Sequence, residues 1–527
     1  MIPVNKFLSC LHCRRFKPAA MKGNESMAKQ IDPVPKFLRP FLFQYFTFVF
    51  LTELFYHFNF PSAMNNTYSD LVQQTFNFPQ EDFKVKDEYL QYNGLDVKSL
   101  IDKYGTPLKL TYLPKIGMQI NKAKKMFAAA FKKHKYEGKY NYCYCTKSSH
   151  FSFVVEEALK YDINLETSYA YDIDIIKKLY AKKKITKDIF IICNGYKQKP
   201  YTARIAGLLN SGFKNVVPIL DNTDELRAYI KSVKVPFNLG IRVAAEEEPN
   251  FPFYTSRLGI RAKDILEFYV DKIEGNEHRF QLKMLHIFLN KGIKDDIYYW
   301  SELNKVINLY CQLKKICPEL DSINIGGGFP IKHSLGFEYD YQFMINEIVR
   351  NIKLACKRTK VPMPNIFTEF GSYTVGESMA HVYSVIGEKM QNDKETWYMI
   401  DSSFITTLPD TWGIGEKFLM LPINKWQNEY QRVVLGGITC DSHDYYDSEE
   451  HINEVFLPKV DGDEPLYVGF FHTGAYQDQI SGYGGIKHCL IPSPKHVIVG
   501  HDKTGKLVDW LYAKEQTAQS MLKILGY

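Results

Sequence analysis

The sequence predicts a (β/α)8 barrel followed by an all-β domain. Three observations predict it. Eight apolar runs of strand length alternate with amphipathic helical windows between residues 140 and 368, the arithmetic of a closed barrel. The chemically unusual residues collect where those runs end. From about Val375 the pattern turns β-rich and is punctuated by turns. A doubly wound open sheet is the competing arrangement for the barrel segment.

The chain has 527 residues, more than one domain needs, with 45% hydrophobic and 24% charged residues, an ordinary balance for a globular protein. Its 10 cysteines are scattered without framework spacing, which suits a reducing compartment and predicts a cytoplasmic protein. The formal charge of +7 hints at nucleic acid, but residues 1–63 carry +5 of it. No basic stripe remains to bind phosphate backbones.

Residues 1–63 are expected to lie outside the fold, as a disordered or start-site extension. Phe41–Thr52 is uncharged and aromatic but shorter than the roughly 20 apolar residues of a spanning helix. Cys10-Leu-His-Cys13 has no matching second half for zinc. A peripheral anchor or signal sequence is the competing reading. Met64-Asn-Asn-Thr opens a stretch of normal globular character. Residues 64–104, including the strand-like Phe83–Asp96, are expected to pack on the β domain, 105–375 to form the barrel and 376–527 the β domain.

Thr106–Leu113 leads in and Gln119–Lys133 reads as a helix. The strand runs are Tyr140–Cys145, Asn164–Thr167, Asp188–Cys193, Asn215–Leu220, Asn238–Val243, Leu282–Leu289, Ser322–Ile325 and Asn365–Thr368. In a barrel the chemistry belongs at the C-terminal ends of the strands. Strand one runs into Lys147, costly in a core unless neutralised or used. Strand two ends in Glu166-Thr-Ser168 and strand three in Cys193-Asn-Gly-Tyr-Lys197. Strand five ends in Arg242 and leads to Glu246-Glu-Glu248, and strand six carries His286, Phe288, Asn290 and Lys291. Strand seven ends in Gly326-Gly327-Gly328 and strand eight in Thr368-Glu369-Phe-Gly371. A triple glycine brings backbone N–H groups close to an anion. A lysine, an anion loop and a carboxylate on one rim suggest pyridoxal 5'-phosphate, with lysine as covalent anchor and Glu369 on the pyridine nitrogen.

Beyond the barrel, Gly437-Ile-Thr-Cys440-Asp441-Ser-His-Asp444 places a thiol beside carboxylates in a turn. On local sequence alone it reads as a buried cysteine with solvated neighbours. Thr473-Gly-Ala-Tyr476 is unremarkable by itself.

Taken together, Lys147, Gly326-Gly-Gly-Phe-Pro330, Glu369-Phe-Gly371, Thr439-Cys-Asp441 and Gly474-Ala-Tyr476 resemble, in order and spacing, the pyridoxal-phosphate decarboxylases of the alanine-racemase-like fold (fold type III). Leu165-Glu-Thr-Ser168, Cys193-Asn-Gly-Tyr-Lys197 and Leu525-Gly-Tyr527 are most similar to the bacterial biosynthetic arginine decarboxylase branch. The resemblance covers about Asn65 to Tyr527. It implies that Lys147 carries the cofactor, that Gly326, Gly327, Gly328 and Tyr476 bind its phosphate, and that Glu369 pairs with its pyridine nitrogen. It further implies that Cys440 returns a proton after carbon dioxide departs and that Asp441 binds the far end of the substrate. Cys440 and Asp441 would reach the partner's site in a homodimer with shared active sites.

Two departures from the family pattern stand out. The family's phosphate-binding arginine is Ser372 here, and the histidine that stacks on the cofactor aligns with Phe288. His286 lies two residues earlier, on the same face of an ideal strand. His286 and Phe288 are thus candidate cofactor contacts, and Lys291 is a candidate replacement for the lost charge. No metal is expected.

The acidic residues Asp441 and Asp444 suit a cationic substrate end, and a guanidinium rewards two carboxylates. The expected reaction is therefore arginine to agmatine and carbon dioxide, a carboxy-lyase step of polyamine (spermidine) biosynthesis. Diaminopimelate and ornithine are the alternative substrates. A racemase, or a non-catalytic relative that only binds partners, is the competing class.

Overall fold

The computed structural model describes residues 78–246, 256–289, 296–450 and 453–527. In it the eight expected runs form one closed parallel barrel. Its strands are Tyr140–Cys145, Asn164–Thr167, Ile191–Cys193, Val216–Leu220, Phe237–Arg242, Phe280–His286, Ser322–Asn324 and Asn365–Phe370. The eighth strand pairs with the first, from Ile366 beside Tyr140 to Phe370 beside Tyr144, which rules out an open sheet. Both faces of these strands are covered, so they read as apolar runs rather than alternating ones.

Cys143, Ile192, Val217, Ile219, Met284 and Phe367 fill the barrel. Gly240 on the fifth strand makes room for this filling, since a Cβ there would lie 2.5 Å from Ile219 Cδ1. Pro218 sits inside the fourth strand, in register with Cys193 of the third, and has no N–H to donate to a ladder. The pairing with the fifth strand accordingly begins after it, at Ile219.

The eighth barrel strand is followed only by the short helix Ser372–Val375. The helix before the barrel, Pro114–His134, packs beside Tyr341–Thr359 and Ser152–Ala158 and fills the eighth place in the helical ring. Its buried stripe is Ile116, Ile120, Ala123, Phe127 and Ala130, a helical spacing. Proline opens it, and Lys132, Lys133 and His134 sit at its negative end.

The second body is a ten-stranded mixed sheet. One of its strands, Leu108–Tyr112, comes from before the barrel and lies between Met379–Gln391 and Lys495–His501. The expected 105–375 segment therefore contributes to both bodies. Phe83–Lys86, Tyr89–Tyr92 and Leu95–Asp96 form a small antiparallel sheet whose Phe83, Leu90 and Tyr92 join a core with Leu110, Leu421 and Phe471. Helices interrupt the expected all-β pattern, among them Pro409–Gly413, Gln477–Ser481 and Ala518–Leu525. The eight described cysteines are free thiols. Among the described residues no helix is long and apolar enough to cross a membrane. The expectations for residues 1–63, Glu247, Glu248, Asn290 and Lys291 lie outside the described residues.

Candidate active site

Lys147 occupies the single turn Thr146–Ser148 that follows the first barrel strand. Thr146 Oγ donates to the Glu166 carbonyl at 3.0 Å and ties this turn to the second strand. Lys147 Nζ then lies 2.9 Å from Glu166 Oε2, while Glu166 Oε1 accepts from Ser168 Oγ at 2.8 Å. Burial works against the lysine's charge, whereas Cys145, Glu166 and Glu369 favour it, and its pKa ends well above the ordinary value. The Cys145 thiol is itself pushed up by burial, so it is neutral at neutral pH. The two carboxylates therefore carry the effect.

On the opposite side, Glu369 Oε1 lies 3.1 Å from His286 Nε2 and accepts from Asn324 Nδ2 at 2.8 Å. Burial pushes the Glu369 carboxyl up, but His286, Lys147 and Asn324 prevail and hold it down at about 2. Asn324 also accepts from the Gly326 N–H at 2.9 Å, so one amide couples the glycine loop to the carboxylate. The loop needs its glycines. Gly326 has φ +68° and a Cβ there would lie 2.5 Å from the Ile287 carbonyl; at Gly327 it would lie 2.4 Å from that of Glu369.

A cavity of about 900 Å³ opens between these groups, with Lys147, Phe288, Gly327, Gly328, Glu369 and Tyr476 in its wall. Sequence placed all of these but Tyr476 on the barrel rim, Tyr476 entering through the resemblance alone, and the structure lines one cavity with them. Lys147 is the only lysine or arginine among the described lining residues. Ser372 lines the cavity where the family's arginine is expected. Tyr476 closes the far side; its N–H donates to the Ser148 carbonyl at 2.9 Å, and burial raises its hydroxyl against the pull of Lys147.

His286 is placed differently from the expectation. The sixth strand ends at His286, so the pleat no longer governs Phe288. His286 is fully buried behind Glu369, while Phe288 reaches the cavity with the Arg242 guanidinium 5.8 Å from its ring centroid. Phe288 lines the cavity, and His286 supports the carboxylate.

The residues present fit pyridoxal phosphate. Glu369 Oε2 is buried and has no hydrogen-bond partner, a vacant acceptor suited to a pyridinium N–H. Lys147 supplies an amine, Phe288 an aromatic side chain, and the glycines close backbone approach.

The Cys440 turn lies on the second body, outside the lining of this cavity. Cys440 is exposed, and Asp441 is half-buried and accepts from the His443 N–H at 2.8 Å. Asp444 corrects its substrate-binding expectation. It is buried, its Oδ1 accepts from Phe404 N at 2.7 Å and its Oδ2 from Thr439 Oγ at 2.6 Å. Both oxygens are used in holding the turn together. Lys197 is similarly engaged, with Glu225 at 3.2 Å and carbonyls of Gly195 and Ile219.

Glu166, Asn324 and Arg242 were given no role from sequence. Each is a polar residue ending or just past a buried strand, a signal that was visible, but their partners come from other strands.

Residues 117–376 match the pyridoxal-binding domain of the pyridoxal-dependent decarboxylases. A curated relative, the biosynthetic arginine decarboxylase of Shewanella piezotolerans, is 21% identical over 74% of this chain and 79% of its own. Among solved structures, the biosynthetic arginine decarboxylase of Campylobacter jejuni matches with a TM-score of 0.71 at 20% identity, covering 85% of this chain and 91% of that one. The diaminopimelate decarboxylase of M. jannaschii matches with a TM-score of 0.68 at 19% identity, covering 84% and 97%.

Proposed function

We propose that this protein, whose barrel segment 117–376 belongs to the pyridoxal-dependent decarboxylases, converts arginine to agmatine and carbon dioxide. The observation that carries the reading is the pairing across one cavity of a carboxylate-held lysine, Lys147, with the unpartnered Oε2 of Glu369. When bound, pyridoxal phosphate accepts the electron pair left as the α-carboxylate departs. Lys147 anchors it through its amine. Glu166 keeps that amine oriented, and Glu369, itself held by His286 and Asn324, keeps a proton on the ring nitrogen. Gly326, Gly327, Gly328 and Tyr476 would hold the phosphate, and Phe288 would offer its side chain to the ring.

Cys440 returns the proton to the α-carbon, and Asp441 receives the cationic end of the substrate. Both act across the interface of a homodimer, in keeping with an exposed thiol outside its own chain's cavity lining. Arginine is preferred because relatives over most of the chain are named arginine decarboxylases. The protein would work in the cytoplasm, in polyamine synthesis, where its free thiols stay reduced.

The test is release of carbon dioxide from L-arginine, L-ornithine and diaminopimelate by the cofactor-loaded enzyme. Arginine is expected to give the highest kcat/KM. Release from diaminopimelate or ornithine but not from arginine would overturn the substrate. A loaded protein inert toward all three would overturn the reaction.

A further inference from the structure

Three groups of metal-ligating side chains occur among the described residues. Two are already neutralised by lysines. Asp82 and Glu377 face Lys115 Nζ at 2.5 and 3.3 Å, and Glu166 faces Lys147 beside Cys145 and Glu369. The third, Cys440, His488 and Cys489, is exposed and contains no lysine.

Cys440 Sγ lies 3.3 Å from Cys489 Sγ and 3.8 Å from His488 Nε2. All three donor atoms fall within 4.8 Å of one another. A tetrahedral zinc ion with sulfur at about 2.3 Å and nitrogen at about 2.0 Å spaces its ligands about 3.5–3.8 Å apart. The two sulfurs stand about 0.5 Å closer than such an ion would hold them, and Cys440 and His488 about 0.3 Å farther apart, differences that small side-chain rotations cover. The two halves come from separate, well-fixed turns. Asp444 pins the Cys440 turn through its hydrogen bonds to Phe404 and Thr439. On the other side Cys489 and Leu490 both hold φ at +55°, a left-handed conformation that non-glycine residues seldom adopt unless the surroundings impose it. The Cys440 N–H in turn points to Cys489 Sγ at 3.5 Å.

We propose that Cys440, Cys489 and His488 form a binding site for a soft divalent cation of the zinc class. Occupancy withdraws the Cys440 thiol from proton return, a consequence that rests on the catalytic role proposed above. Each thiol releases its proton to solvent as its sulfur coordinates. Two protons therefore leave per ion bound, and affinity rises with pH. Three protein ligands leave the fourth position to water.

The experiment uses the reduced, cofactor-loaded enzyme and zinc competed against a chromophoric chelator. Cobalt difference spectra serve as a second probe. The wild type is expected to bind one equivalent, and cobalt to give a thiolate-to-metal absorption band. Cys489→Ser and, as a second exposed position, His488→Ala should weaken binding by at least about tenfold, since loss of even an outer-shell partner costs 10–100-fold. Unchanged melting of each variant would show that the fold is intact. Zinc binding that is absent, or equal in wild type and Cys489→Ser, overturns the site. Carbon dioxide release is measured in parallel, with zinc expected to inhibit the wild type and to spare Cys489→Ser. Binding without inhibition overturns the regulatory consequence alone. An enzyme inert toward every amino acid would defeat the proposed function, while the binding measurement would still decide the metal site.

Discussion

The barrel cavity and the Cys440 turn are built on opposite plans. In the cavity the central charged groups are held by partners from other barrel strands: Lys147 by Glu166 on the second, and Glu369 by His286 on the sixth and Asn324 on the seventh. At the turn the reactive atoms face solvent, while the buried carboxylate beneath them, Asp444, serves the backbone. Desolvation makes an unpaired charge expensive in the first place and nearly harmless in the second. The cavity is thus preorganised within one chain, whereas the turn has its reactive groups free to meet something outside it.

The largest break in this comparison comes at Lys147. Lys147→Ala is expected to abolish decarboxylation and the borohydride-fixable chromophore of the loaded enzyme, with the barrel still folded. A retained chromophore would move the anchor to another lysine. Next comes Cys440→Ala, whose loss of a positioned acid should slow turnover about 10²–10⁴-fold. Mixing it with Lys147→Ala subunits should restore up to about half of a hybrid dimer's normal activity, since two-fold symmetry leaves one intact site. Verified subunit exchange without rescue would place both residues in one chain's site.

A stability measurement sharpens the contrast further. His286→Leu leaves Glu369 without its ring partner, and losing a hydrogen bond to a buried charged group costs about 1.5–3 kcal/mol; chemical denaturation should register it. The pH dependence follows from Glu369. Its folded pKa is depressed to about 2 from an ordinary 4.5, so its contribution is present above pH 4.5 and is lost as pH falls toward 2. Wild type should therefore lose more stability than Glu369→Gln across that window, and parallel curves would remove the assigned interaction. The smallest effect is expected at Asp444. Asp444→Asn should cost about 1–3 kcal/mol through its buried hydrogen bonds and leave KM unchanged once folded. A raised KM with unchanged melting would return this residue to the substrate site.

Much of the fold was legible because parallel barrel strands are buried on both faces and leave continuous apolar runs. The rim residues were legible because polar groups ending such runs are conspicuous, as at Lys147, Glu166 and Glu369. Partner choice was not legible. The pleat put His286 and Phe288 on one face, yet the strand stops at His286, and only its neighbours show that it serves Glu369 while Phe288 meets the cavity. Asp444 looked like a substrate carboxylate because adjacency in sequence cannot show which N–H groups fold back onto it. Cys489 drew no attention for the same reason: it is distant from Cys440 in the chain, and two left-handed residues bring their sulfurs together. Periodicity and composition thus decided the elements and the reactive residue types. Which groups neutralise one another was decided by tertiary structure, because hydrogen bonds and Coulomb forces act between atoms a few ångströms apart regardless of their separation along the chain.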